Sequence, residues 1–590
     1  MNNNTTTLKD TYMTAYENYK KGHLKNAETL CYKILSIDPN FLQSKILLAN
    51  ISAKNEDFVK TKKLLNEAFN IDPKNISVLN NLGTVCKKLG EVENAANYYK
   101  KAIEIDPNNA SAYYNIGATC YDLKQFQEAI VHLEKATKIQ PNFALPFFVL
   151  GNIQADLKEY EKAASNYKKA IGINKNLASA HNNLGLVLRA LNDLESAIKS
   201  YEKAISIQNN HVGAHHNLAL AFKETGKFDK AIKSHEMAIK YEPENLAHYF
   251  YLSNLKKNIL NLELKNKIIK IIKNEKVTKN NLAYGNYLLS MYEQKEKKYE
   301  EELDFLIKGH QYYFDSRKAQ FEILIKYTFD DMLQIANGIE LEKSKENDDK
   351  NIKPIFIVGV PRCGSTLVEK IIGSGVKSVS MGEETSVLEE FVTAKILKNK
   401  SLNLGSVYKI RSELMSIYKK KGLFTEKFDN IFTDKSLNNF FFLNIIKEIF
   451  PKAKIINCKR DITSSIMSIF QNQLSELAWT HDLNNIFKYF DNYFKIIDDY
   501  KNKDPNFIFN LELEKLINNP EEESKKLMKF CGLPWDIKCL EFYKRKDFIS
   551  KTASNIQIRQ GINKNSSNKY LPYKKLLTRY GDKYSWYSKK

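Results

Sequence analysis

The chain has little that would staple or anchor it. Its seven cysteines (31, 86, 120, 363, 458, 531 and 539) are scattered over 590 residues, odd in number and without a CxxC pair. That argues against a disulfide framework and a structural zinc site, and it suits a reducing compartment. The longest apolar runs, such as IFIVGV, are far short of the ~20 residues a membrane-spanning helix needs. The N-terminal MNNNTTTLKD contains no apolar signal-peptide core, so a cytoplasmic location is expected. Histidine is scarce, and after residue 352 only His481 occurs, inside AWTHDLNN. Prolines number only 13, yet five of them fall in one register.

At this length one core is not enough, and two to four domains are expected. Hydrophobic residues make up 43% and charged residues 27%, the balance of a folded protein rather than a disordered one. The net charge of +21 invites a nucleic-acid reading. However, the excess is lysine spread along the whole chain, a compositional bias that adds only a mild attraction for anions, so no nucleic-acid partner is expected.

The five prolines stand at 39, 73, 107, 141 and 243, with Lys175 and Asn209 in the two intermediate slots of a 34-residue period. Small residues repeat at the same interval: Ala49, Gly83, Gly117, Gly151, Gly185 and Ala219. Two further series are Ala27, Thr61, Ala95, Ala129, Ala163, Ala197, Ala231 and Ala68, Ala102, Ala136, Ala170, Ala204, Ala238, the latter with Ile34 in its first copy. Helix pairs explain the pattern: small residues let two helices approach, and the proline or polar slot ends the second helix. The array resembles seven tetratricopeptide repeats over 8–247, which implies an α-solenoid with a concave binding face.

Two residues before the small slot stand Asn81, Asn115, Asn183 and Asn217, with Leu47 and Val149 interrupting the series. The series resembles the asparagine ladder in the repeats of O-GlcNAc transferase, and the resemblance implies a protein or peptide partner. An Asn amide both donates to and accepts from a peptide unit, so it binds a chain without reading its sequence. Solvated polar positions would read the same way. Residues 248–350 show helical periodicity rich in Lys and Glu, expected to cap the solenoid, with the polar run 342–351 as linker; His310 there has no ligand-like neighbour and reads as structural.

From 353 to 590 the pattern changes to short apolar strands alternating with helices, expected at 354–359, 376–380, 430–433, 453–458 and 507–511. The whole chain is therefore read as an all-α solenoid followed by an α/β, P-loop-like domain with a mainly parallel sheet. In KPIFIVGVPRCGSTLVEKIIGSG, 353–375, a β-branched strand breaks at Gly359 and Ser365-Thr366 open a helix. Backbone N–H groups and the helix dipole converge there on an anion. The spacing copies a phosphate-binding Walker loop, but Ser365 stands where its lysine belongs and the cation has moved to Arg362. That argues against ATP as the ligand. An ordinary strand–turn–helix crossover has the same outline.

Ligands of such sheets lie beyond the carboxyl ends of the strands. There the sequence places Gly382-Glu383-Glu384-Thr385, then Thr433-Asp434-Lys435-Ser436, then Lys459-Arg460-Asp461 ahead of a helix with Ser464, Ser465 and Ser468. PRCGSTLVEKII resembles the 5′-phosphosulfate loop of sulfotransferases that use 3′-phosphoadenosine 5′-phosphosulfate (PAPS), and CKRDITSSIMSIF their 3′-phosphate motif. LEKLINNPEEESKKLMKFCGLPWD, 513–536, is similar to a further segment of the family. Within that family the chain resembles the tyrosylprotein sulfotransferases and their bacterial relatives fused to tetratricopeptide repeats.

The resemblance implies PAPS as sulfate donor and no metal. It places the donor on Arg362, Cys363, Gly364, Ser365, Thr366, Arg460, Ser468 and Arg559, and catalysis on Glu384 as base with Lys435 and Ser554. Glu384 comes from MGEET, Lys435 from TDKSLNNF, and Ser554 and Arg559 from KTASNIQIRQGI. Cys363 and Ser365 replace the Ser and Thr of many members, changes that leave the backbone cradle intact. His481 reads as structural. The competing readings are a repeat scaffold with a non-catalytic nucleotide-binding domain, a phosphotransferase, disfavoured by the missing lysine, and a nucleic-acid binder, which leaves the strand-end residues unexplained.

Overall fold

The structure is a computed structural model that describes residues 2–343, 352–376, 379–423, 431–504, 507–545, 559, 561–562 and 569–588. The chain forms two compact units, Met1–Ala221 and Phe222–Lys590.

In the first unit the 34-residue period becomes helix pairs. Second helices begin at Leu24, Phe58, Val92, Phe126, Tyr160 and Leu194, and first helices at Leu42, Ile76, Ala110, Ala144 and Ala178. The glycine slot exists because a ring or branched side chain presses on it. A Cβ on Gly83, Gly151 or Gly185 would come within 2.4–2.6 Å of Tyr99, Tyr167 or Tyr201, and one on Gly117 within 2.8 Å of Leu133. The alanine series ends the helices: the amides of Asp72, Asp106, Gln140, Asn174 and Gln208 return to the carbonyls of Ala68, Ala102, Ala136, Ala170 and Ala204. Where a repeat carries the register proline, it follows that capping residue and prevents continuation.

The second unit opens with helices Phe228–Tyr241 and Leu246–Ser253 and continues through Leu262–Ile272, Lys279–Lys295 and Tyr299–Asp315. These share one hydrophobic core with the α/β part, running from Leu246 to Tyr587. Two buried histidines join them. His310 and His481 meet Nδ1 to Nδ1 at 2.9 Å, and His310 Nε2 lies 2.7 Å from the Phe470 carbonyl. Burial lowers His310 to about 4 and His481 to about 2, so both are neutral. The sequence reading of both as structural agrees with this packing.

The strands are β1 (Glu340–Glu342), β2 (Ile355–Val358), β3 (Ser380–Met381), β4 (Asn403–Ser406), β5 (Phe432–Asp434), β6 (Lys454–Lys459) and β7 (Ile508–Glu512). β1 and β4 make a separate parallel pair that the sequence did not announce, because neither has an apolar run. The main sheet is parallel, in the order β3-β5-β2-β6-β7. β2 is buried along its whole length, as a central parallel strand should be. With β5 on one side of β2 and β6 on the other, the chain reverses direction across the sheet at β2. The carboxyl ends of these three strands therefore border the crevice where such sheets bind ligands. The expected second strand is shorter and later than read, beginning only at Ser380.

Candidate active site

The loop after β2 is shaped by two close approaches. A Cβ on Gly359 would lie 2.5 Å from Cys363 Sγ and 2.8 Å from the Cys458 carbonyl, and one on Gly364 would lie 2.7 Å from Leu513 Cδ1. Gly364, with φ 94°, caps the helix Ser365–Gly373 in a left-handed conformation that glycine adopts without penalty. Arg362 has φ 69°, unusual for a side-chain-bearing residue. Cys363 and Thr366 are buried, whereas Ser365 remains half-buried at the first turn.

The turn directs Arg362 toward β6. Its Nε donates to Ser468 Oγ at 3.0 Å, while Arg460 Nη1 donates to the Arg362 carbonyl at 3.0 Å. The Arg362 side chain thus bonds the serine of the following helix, while Arg460 bonds the Arg362 main chain. Burial lowers Arg362 to about 10, and the neighbouring Arg460 charge contributes to that fall. Among the described residues Arg460 forms no ion pair with a carboxylate. Asp461 instead caps the helix Ile462–Gln471, accepting from the Ser464 amide at 2.8 Å. Like charges drawn together in a partly desolvated loop are the electrostatic complement of an anion. Arg460 also lies 5.8 Å from the centre of the Tyr570 ring.

Beyond β5 the polar side chains are buried. Asp434 accepts hydrogen bonds from Tyr418, Thr385, Asn439 and Ser436, the last through both hydroxyl and amide. This fixes the Glu384 turn and the Lys435 loop to one carboxylate. Lys435, 1% exposed, has Nζ 3.2 Å from Glu384 Oε1, and Glu384 is 48% exposed. Burial pulls the Lys435 pKa down, but Glu384, Glu369 and Glu383 together hold it above its ordinary value. A cation in the wall and a carboxylate open to solvent can serve leaving group and acceptor respectively.

Of the residues singled out in the sequence, Arg362, Arg460 and Ser468 meet directly, as do Glu384 and Lys435. Arg559 packs against the turn at Gly226, where its Nη2 donates to the Glu224 carbonyl at 3.1 Å. Burial lowers its pKa, and the Glu383 carboxylate opposes that fall. Ser554 lies outside the described residues.

Residues 354–537 match the model of the Sulfotransferase family. The chain carries a sulfotransferase-family domain. Ahead of it, tetratricopeptide-repeat models match 83–123, 110–143, 151–188, 185–226 and 214–247. An uncharacterized protein of Aquifex aeolicus is 27% identical over 335 residues, 51% of this chain and 41% of that protein, so the chain spans less than half of that relative's length. A putative protein-tyrosine sulfotransferase of Caenorhabditis briggsae is 25% identical over 35% of this chain and 77% of its own. The crystal structure of MamA is 30% identical over 28% of this chain and 95% of MamA, with a TM-score of 0.26.

The sulfotransferase-family domain also holds groups that the sequence reading missed. Glu369 and Lys370, on the helix Ser365–Gly373, are both buried. Lys370 pairs with Glu383 at 3.0 Å, and Glu369 bonds the Glu383 amide and the Thr433 hydroxyl. Helical periodicity could not reveal them, because this helix is buried on nearly every side from Val368 to Gly373. The one available signal was a charged pair inside the apolar stretch LVEKII.

In the first unit two of the four ladder asparagines are joined through neighbours. Asn217 Nδ2 donates to Asn182 at 3.0 Å, Asn182 to Asn183 at 3.1 Å, and Asn183 to Asn152 at 3.0 Å. Tyr167 closes the chain with a 2.8 Å bond to Asn152. All four ladder residues are half-buried.

Proposed function

We propose that the chain is a PAPS-dependent sulfotransferase acting on an acceptor hydroxyl. The observation that carries the reading is the Glu384–Lys435 pair beyond β3 and β5, beside the Arg362–Ser468–Arg460 cluster beyond β2 and β6. Arg362 and Arg460, tied together through the Arg362 carbonyl, suit a donor with anionic groups at both ends. Arg362, Cys363, Gly364, Ser365 and Thr366 would hold its phosphosulfate end, and Arg460 with Ser468 its 3′-phosphate. Arg559 and Ser554 complete the proposed set from the late loop. The division of labour follows the segments 8–247, 248–350 and 353–590.

When bound, PAPS supplies an activated sulfuryl group: the S–O bond to the acceptor forms as the bridging S–O bond breaks, and adenosine 3′,5′-bisphosphate leaves with the electron pair. Glu384 takes the proton from the acceptor hydroxyl. Lys435 presents fixed positive charge where negative charge develops on the leaving side, which in a loose in-line transfer supplies much of the catalysis. No step requires a metal from these residues.

The acceptor we favour is a tyrosine of a protein held by the repeats. The likeness to a putative protein-tyrosine sulfotransferase of Caenorhabditis briggsae supports tyrosine, and the half-buried ladder asparagines support a bound peptide backbone. Thermal-shift measurement with adenosine 3′,5′-bisphosphate and with ATP tests the donor. Stabilisation by the bisphosphate alone is expected, and stabilisation by ATP alone would overturn the reading.

A further inference from the structure

Glu369 is a wholly buried carboxylate on the helix that follows the anion loop. One oxygen, Oε1, accepts from Thr433 Oγ1 at 2.6 Å and from the Glu383 amide at 3.0 Å. The other, Oε2, is shut off from solvent with no hydrogen-bond partner. A buried charged group is costly unless it is compensated. The groups that face it are Lys435, Lys370 and Glu383: burial, with the Glu383 charge, raises its pKa above the ordinary carboxylate value, and the two lysines oppose that rise.

Its hydrogen bonds connect it to the reacting pair. The Glu383 amide that it holds belongs to a residue with φ 51°, in the left-handed region that side-chain-bearing residues avoid. The carbonyl of that residue accepts from the Lys435 amide at 2.8 Å. Glu384, which pairs with Lys435, is the next residue. Besides Glu384, Glu383 and Glu369, the titratable groups acting on or acted on by Lys435 are the thiols of Cys363 and Cys458.

This arrangement answers a difficulty in the proposed chemistry, on which the inference rests. Once Glu384 has taken a proton it is neutral and no longer a counter-charge for Lys435. A lysine in so dry a position would then tend to give up its own proton. We propose that Glu369 is a positioning residue of the transfer site: it holds the turn bearing Glu384 in its left-handed path and keeps Lys435 cationic while Glu384 carries the acceptor's proton. Lys370, paired to Glu383, anchors the other side of that turn.

Glu384→Gln reproduces the protonated base, so the test compares that variant with Glu384→Gln/Glu369→Gln in protein labelled with [13Cε]lysine. The Lys435 signal is assigned by its loss in Lys435→Arg. The double variant should titrate Lys435 at least about one pH unit below the single one. An unmoved midpoint overturns the inference whether or not the protein turns over PAPS. Should the double variant not fold, Glu369→Gln should still lower the Lys435 midpoint relative to the unaltered chain, where Glu384 remains as a counter-charge, and an unmoved midpoint there overturns the inference. In turnover, Glu369→Gln should lower kcat by about 10-fold with KM for PAPS changed less than about 2-fold. An unchanged kcat would also overturn it, whereas absence of PAPS turnover in the unaltered protein would instead overturn the proposed function.

Discussion

Arg460 donates a hydrogen bond to the main-chain carbonyl of Arg362 at 3.0 Å, although 98 residues separate them. The bond joins the loop after β2 to the end of β6, so the residues proposed for the two ends of the donor are mechanically one unit. Arg460→Ala should therefore abolish the preference for adenosine 3′,5′-bisphosphate over adenosine 5′-monophosphate in a direct binding titration. Arg460→Lys should restore little of it, since an ammonium cannot bond a carbonyl and a phosphate in the fixed fork of a guanidinium. Full discrimination in the alanine variant would move the 3′-phosphate site elsewhere.

Glu384 is half exposed and paired with a buried cation, a suitable place for a group that meets an incoming hydroxyl. Glu384→Gln keeps the shape and removes the basicity. Single-turnover rates should fall by roughly 10²-fold or more, while the bisphosphate still stabilises the protein thermally. Near-normal rates in that variant would refute the assignment of the base.

The proposed peptide-holding role of the repeats is tested at the four ladder asparagines. Alanine at Asn81, Asn115, Asn183 and Asn217 should raise KM for a protein acceptor and leave turnover of a small phenol intact. Equal effects on both acceptors would show that the repeats do not present the substrate.

The His310–His481 pair makes stability depend on pH with a definite sign. Both folded-state pKa values lie below the ordinary 6.5, at about 4 and about 2. The unfolded chain therefore binds protons that the folded one refuses, and stability present above pH 6.5 is lost as the pH falls toward 4. The thermal midpoint should drop over that window. His481 stacks on Tyr313 and Phe321 at 4.8 and 5.3 Å between ring centres, so His481→Phe fits the space. That variant should show a shallower drop. An identical slope would place the titrating groups elsewhere.

Much of this was legible in the amino-acid order. A 34-residue period survives in the sequence because each repeat solves the same packing problem: Gly151 must make room for Tyr167, and Gly185 for Tyr201. The loop at 359–366 was legible for a related reason, since a strand, a tight turn and a helix start each constrain neighbouring residues. The segments holding Lys435 and Glu384 could be nominated because they follow strands, and the family resemblance picked out the two residues. The second strand was misplaced, because Ser380–Met381 is too short to impose an alternation.

By itself, then, the sequence determined whatever depends on residues near one another: the repeats, the strand–turn–helix at 355–373, the strand-end motifs and the separation of helical and α/β parts. Only the tertiary structure decided which distant side chains meet. His310 reaches His481 across 171 residues, and Glu369 reaches Thr433 across 64. The physical reason is burial. Inside a parallel sheet covered by helices, elements are enclosed on several sides, periodicity fades, and a charged residue there is explained only by the partner that the fold brings to it.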